Sequence, residues 1–135
     1  MRPQSLKEAV ERIIAGEEER IAISEFLDTF YLHHKQTTRQ QTMIEAEPPI
    51  TGRRTLDAYT AAVAEHLARR WNLTIPDWVE DERRFLDTPF WDDDLQLMKP
   101  ILLRDSPIAF RRRLIFTEAE PLRRGRFPIE PVTAK

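Results

Sequence analysis

Residues 55–71, TLDAYTAAVAEHLARRW, contain neither proline nor glycine, and their apolar side chains recur at helical spacing. Leu56, Tyr59, Val63 and Leu67 fall at i, i+3, i+7 and i+11 and share one helical face, which Ala62 and His66 widen. Thr55 stands where a hydroxyl can accept from the free N–H groups of a first turn. Arg69 and Arg70 lie in the last turn, where positive charge suits the helix dipole. Asn72 follows as a left-handed stop. A helix with so broad an apolar face needs other elements against it, so the rest of the chain is expected to be organised around this one.

The length of 135 residues predicts a single helical domain over 1–117 with a poorly structured tail, 118–135. The absence of cysteine excludes disulfides, thiol catalysis and thiolate metal sites. No apolar run approaches the roughly 20 residues of a membrane span. The opening MRPQSLKEAVERI lacks the apolar stretch of a signal peptide. The expected setting is cytoplasmic, with no membrane association.

The chain in order predicts a succession of short helices. Ser5 and Glu8 form an S-x-x-E capping box for a helix over 5–16, with Leu6, Ala9, Val10, Ile13 and Ile14 on one face and Gly16 as terminator. The acidic run 17–19 opens a second helix to about His34, whose Ile23, Phe26, Leu27, Phe30 and Tyr31 read as core. Thr37 and Gln40 are candidate caps of a third helix reaching Glu45, with Met43 and Ile44 buried. Two prolines and a glycine in 47–52 make a rigid connector into the long helix.

Beyond Asn72 the pattern loosens. Residues 80–86 suit a helix of about two turns, and Trp78, Phe85, Leu86, Phe90 and Trp91 read as lids over helix ends. Asp92, Asp93 and Asp94 suit the start of a helix over 95–99, which Pro100 either kinks or restarts. Ser106-Pro107 reads as a helix start, with Ser106 as cap. Leu114-Ile115-Phe116 reads as extended.

Charge is uneven. Residues 1–99 carry 13 Lys/Arg against 19 Asp/Glu, and residues 100–135 carry 8 against 4. Of the 21 basic residues 17 are arginine, a bias that favours planar, forked pairing but also follows from GC-rich coding. The sharpest feature is the run Arg111, Arg112, Arg113, which Arg123, Arg124 and Arg126 extend. Successive helical positions diverge by about 100 degrees, so one arginine of the run pairs inward with an acid while the others face out. Two readings stand. In one, the cluster contacts an acidic protein face or nucleic acid; in the other, it pairs internally with Asp92, Asp93 and Asp94. In the first reading the middle arginine, Arg112, is the one turned away from the pairing acids.

Other chemistry has little to stand on. His33, His34 and His66 show no metal-ligand spacing. Ser24 and Ser106 lack a nucleophile elbow, and Gly16, Gly52 and Gly125 are too scattered for a phosphate loop. No catalytic, cofactor or metal residues are assigned.

Residues 48–126 resemble a family of small, uncharacterised bacterial helical proteins. The likeness is carried by Glu47-Pro48-Pro49, Thr51-Gly52, Asp57, Ala64-Glu65-His66-Leu67-Ala68, Pro76 with Trp78, Phe90-Trp91, and Ser106-Pro107-Ile108-Ala109-Phe110-Arg111-Arg112-Arg113 with Ile115-Phe116. Its members resemble companions of nucleotidyltransferase-like proteins of the toxin–antitoxin type. The resemblance therefore implies an antitoxin-like or regulatory partner role.

Together these readings predict an all-α fold, a compact irregular bundle of five to seven helices. The expected function is a non-enzymatic protein-interaction module, without cofactor, whose partner is another protein of nucleotidyltransferase type. The arginines 111, 112, 113, 123 and 124 are its candidate contacts. The alternative is a nucleic-acid-associated regulator using the basic C-terminal third, and a structural or scaffold subunit comes third.

Overall fold

A computed structural model describes residues 1–92 and 96–125 of the chain. The fold is mostly α, as the periodicities predict. Among the described residues there are six α-helices and one two-stranded sheet. The chain divides into two units. Of the described residues, one holds 1–49, 67–76 and 123–125, and the other holds 50–66 and the rest of 77–122.

The first unit opens with α1 (Leu6–Ile14), α2 (Glu19–Leu32) and α3 (Thr37–Glu45). Ser5 caps α1 by accepting from Glu8 N–H at 3.1 Å, while the Glu8 carboxylate accepts from Gln4 N–H at 2.7 Å. The capping box is thus present, displaced by one residue on its return bond. Gly16 takes φ +117°, which ends the element. Phe26, Leu27, Phe30 and Tyr31 of α2 are buried, so the aromatic stripe is core. Gln40 does not cap α3. It is buried, and its amide donates to Phe30 O at 3.1 Å; Gln36 is the N-cap residue and makes no side-chain cap bond.

The long helix α4 runs Arg54–Arg70. Its residues 56–68 are buried on every side, with Tyr59 half-buried. Alanine at 58, 61, 62, 64 and 68 lets neighbours approach closely on faces where larger side chains would hold them off. Thr55 lies inside the first turn and does not supply the cap. Asp57 in the first turn instead holds the chain that enters the helix, its carboxylate accepting from Thr51 N–H (3.0 Å), the Thr51 hydroxyl (2.7 Å) and Gly52 N–H (3.2 Å). The helix ends as expected. Asn72 adopts φ +60° and Leu73 N–H reaches Ala68 O at 2.7 Å, a Schellman closure.

Trp71 is fully buried in the first unit, with its ring 6.2 Å from Phe30 and 5.3 Å from Tyr31. The Gln41 amide binds the loop after α4 like a short strand, donating to Thr74 O at 3.0 Å and accepting from Thr74 N–H at 2.8 Å.

In the second unit the segment after Pro76 forms two 3-10 turns, Asp77–Glu80 and Glu82–Arg84, instead of an α-helix over 80–86. Its buried side chains are Val79 and Arg84, whereas Trp78, Phe85, Leu86 and Trp91 are half-buried and Phe90 is exposed. The expected aromatic lids are therefore only partial covers.

β1 (Phe90–Trp91) pairs in parallel with β2 (Ile115–Phe116), with Phe90 opposite Ile115 and Trp91 opposite Phe116. The Trp91 and Phe116 rings stack at 4.6 Å. The extended reading of Ile115 and Phe116 thus has a partner strand that periodicity did not reveal. Leu114, at φ +64°, turns the chain from α6 into β2.

A 3-10 turn, Gln96–Met98, leads into α5 (Lys99–Asp105), and Pro100 sits in the first turn of α5. Pro100 restarts the helix; Asp93, Asp94 and Leu95 lie outside the described residues. α6 is the short helix Ile108–Arg111, and Pro107, with no side-chain bond, is its N-cap. Ser106 is instead the C-terminal cap of α5 and is buried. Its hydroxyl donates toward Leu102 O at 2.5 Å and accepts from Thr117 N–H at 2.9 Å, joining the end of α5 to the chain after β2.

Candidate functional site

The arginine run resolves into three different environments within the second unit. Arg113 is fully buried. Its Nη1 donates to Glu65 Oε1 at 2.6 Å and to Ala109 O at 2.8 Å, its Nη2 to Val79 O at 2.6 Å, and its Nε to Arg84 O at 3.1 Å. One planar cation thereby fixes α6, both 3-10 turns and α4. The Phe85 ring lies against it at 4.5 Å. Desolvation by burial pulls the Arg113 pKa down from its ordinary value, partly offset by Glu65.

Arg112 is half-buried. Its Nη1 donates to Glu65 Oε2 at 3.1 Å, and its guanidinium forks Glu80 at 3.0 and 2.5 Å. The hydrogen bond to Glu80 is the main cause of its raised pKa. Glu65 thus takes one arginine on each oxygen, a geometry that guanidinium forks favour. This corrects the expectation for the middle arginine, which faces the pairing acids. Among the described residues the acids it meets are Glu65 and Glu80; of the expected partners, Asp93 and Asp94 lie outside the described residues.

Arg111 is exposed, but its Nη2 donates to Arg104 O at 2.9 Å and Ser106 O at 3.0 Å. It occupies the carbonyl end of α5, where a cation also suits the dipole. Arg84 is the second fully buried arginine; its Nη1 donates to Asp57 O at 3.3 Å, and Trp78 lies across it at 4.7 Å. The buried Arg113–Glu65 pair compensates both of its charges, which removes the largest cost of burying ions.

The tail arginines belong elsewhere. Arg124, in the first unit, forks Asp28 of α2 at 3.0 and 3.2 Å, which raises its pKa. Arg123 is exposed. Arg126 lies outside the described residues. The structure therefore brings Arg112 and Arg113 together on Glu65, sets Arg111 on α5, and gives Arg124 its own acid.

Beside the network an open cleft of about 660 Å³ is lined by Ile50, Arg54, Glu82, Phe85 and Asp87 among others. Both its arginines are engaged: Arg54 donates from Nε to Phe85 O at 2.9 Å and sets Nη2 3.7 Å from Asp87, and Arg83 forks Asp81 at 3.1 and 2.6 Å. His66 is buried with its ring 5.7 Å from Phe110. Among the described residues no group of three or more His, Asp or Glu is placed to hold a metal ion.

Sequence reasoning missed Glu65, Glu80, Arg84 and Phe85 as parts of the network. A signal for Glu65 existed: it is the single acid in the alanine-rich stretch 61–68, where a buried carboxylate demands a cation.

A second surface is made by residues 96–111. Leu97, Ile101, Leu103 and Ile108 are exposed there, while Leu102, Ala109 and Phe110 point inward. Lys99, Arg104 and Arg111 accompany them, against Asp105 as the one acid of the stretch. Lys99 lies over the Trp91 ring at 5.2 Å, and Arg104 forks Asp105 at 2.8 and 3.2 Å.

Comparison of the chain with protein-family models, with curated proteins and with solved structures found no match.

Proposed function

We propose that the chain is a non-enzymatic protein-interaction module that docks through residues 96–111 onto a partner protein and restrains it. The observation that supports this reading is that four large aliphatic side chains, Leu97, Ile101, Leu103 and Ile108, are left in solvent within this one stretch of chain. Exposed apolar groups of this size gain free energy when a partner covers them, and clusters of them mark interaction surfaces. The surrounding lysine and arginines suit a partner with acidic groups at the rim of the contact. The kind of partner, a nucleotidyltransferase-type protein held in an antitoxin-like manner, is what the resemblance over 48–126 implies.

Within this reading the arginines act mainly from inside. Arg112, Arg113 and Arg124 already bind carboxylates of their own chain, and Arg111 is the exposed member of the run within 96–111. The same pairing weighs against the nucleic-acid alternative, in which guanidinium groups face phosphates.

The test is co-expression with a nucleotidyltransferase-type protein encoded beside this one, followed by purification through a tag on one of them. The pair is expected to co-purify, and Ile101→Glu combined with Ile108→Glu is expected to abolish it while the circular dichroism spectrum is kept. Undiminished capture by that folded double variant would remove this surface from the interface.

A further inference from the structure

The chain carries a second exposed apolar corner, and its charge is of the opposite sign. At the turn between α1 and α2, Ile14 and Ile21 are 56% and 44% exposed. Glu11, Glu18 and Glu19 are exposed around them, and Glu17 is half-buried. Over residues 11–21 the acids outnumber the two arginines by two. Over residues 96–111, where Leu97 is 89% and Ile108 51% exposed, the basic residues outnumber the acid by two. Each corner presents aliphatic side chains within charge that repels its own kind and attracts the other.

We infer that this protein associates with itself, the α1–α2 corner of one copy seating on the 96–111 surface of a second copy. The hydrophobic gain comes from covering Ile14 and Ile21 against Leu97 and its neighbours, and the charges set which corner meets which. Like-charge repulsion disfavours the two symmetric self-pairings, acidic on acidic and basic on basic. A head-to-tail contact of this kind closes into a two-fold dimer when made twice, or propagates when made once per copy. Two small corners give a contact at the low end of interface sizes, so the association is weak and depends on concentration and salt. The inference goes beyond the proposed partner role and needs no partner; since both use residues 96–111, self-association and partner binding exclude each other.

Sedimentation velocity of the full chain, from about 5 µM to about 500 µM, tests this directly. The wild type is expected to shift from monomer toward larger species as concentration rises, and to shift back in about 0.5 M NaCl. Ile14→Arg and Leu97→Glu alter exposed positions and are each expected to stay folded, checked by circular dichroism, and monomeric across the range. Their equimolar mixture is the decisive sample. The intact basic surface of Ile14→Arg and the intact acidic corner of Leu97→Glu are expected to join as a one-to-one dimer. A wild type that stays monomeric throughout overturns the inference. So does either folded variant associating like the wild type, or a mixture that remains monomeric.

Discussion

Arg113 Nη1 lies 2.6 Å from Glu65 Oε1, and both side chains are entirely buried. The pair spans 48 positions of sequence and joins α4 to α6. Its other donors hold the two 3-10 turns through backbone carbonyls, so a segment with little regular hydrogen bonding of its own is fixed by one side chain. Removing Glu65 leaves the buried Arg113 without its carboxylate, and removing Arg113 leaves Glu65 with Arg112 alone and takes the donor from the carbonyls of Val79, Arg84 and Ala109. Arg113→Ala and Glu65→Ala are each expected to cost about 3–5 kcal/mol. Urea unfolding measures this, and Arg113→Lys is expected to recover little, because an ammonium cannot reach four acceptors in one plane. A loss under about 1 kcal/mol in either alanine variant would show that the pair does not hold the unit together.

Arg112→Glu separates the internal from the external role of the cluster. Read from sequence, this variant stays folded and loses only its partner. In the structure it sets a third carboxylate against Glu65 and Glu80. It is therefore expected to destabilise the fold by about 1.5–3 kcal/mol, the scale of a lost charged hydrogen bond. Combining it with Glu80→Arg is expected to restore part of that loss. Thermal melts of the two variants decide the matter.

Ser106→Ala removes a buried hydroxyl that joins α5 to Thr117 and leaves Thr117 N–H without that acceptor. The expected cost is about 1–3 kcal/mol. Hydrogen exchange is expected to show faster exchange at Thr117 and at the α5 C-terminus. A helix-cap role would instead loosen the first turn of α6, and selective exchange there would contradict the structure.

Asp81 pairs with Arg83 at the second 3-10 turn. The Arg83 guanidinium, with help from Arg83 N–H, holds its carboxyl down at about 2, below the ordinary 3.8. A depressed folded value means that its contribution to stability is complete above the unfolded pKa. It is lost as pH falls through the folded one, between 3.8 and about 2. Arg83→Ala is expected to raise the Asp81 pKa toward 3.8, read by carbon-detected NMR titration. An Asp81 that already titrates near 3.8 in the wild type would refute the pairing.

Helices whose signals are local could be read from the residues alone. Ser5 with Glu8, Gly16, the unbroken run 55–71 and Asn72 act through bonds within one or two turns, and each helix they delimit is present. The core character of Phe26, Phe30 and Leu67 was equally legible, because periodicity places apolar groups on one side whatever lies opposite. Which acid each arginine meets depended on how the elements pack. Charge attraction acts through space and carries no sequence period, so Arg113 could be paired with Glu65 only once α6 had been placed beside α4. The same holds for β1 and β2, two residues each, too short for an alternating pattern to declare itself and defined by the partner strand. Ser106 shows the limit most plainly. Its local sequence is a sound helix start, yet its hydroxyl serves Leu102 and Thr117, because folding brought a buried N–H that needed an acceptor within 2.9 Å of it.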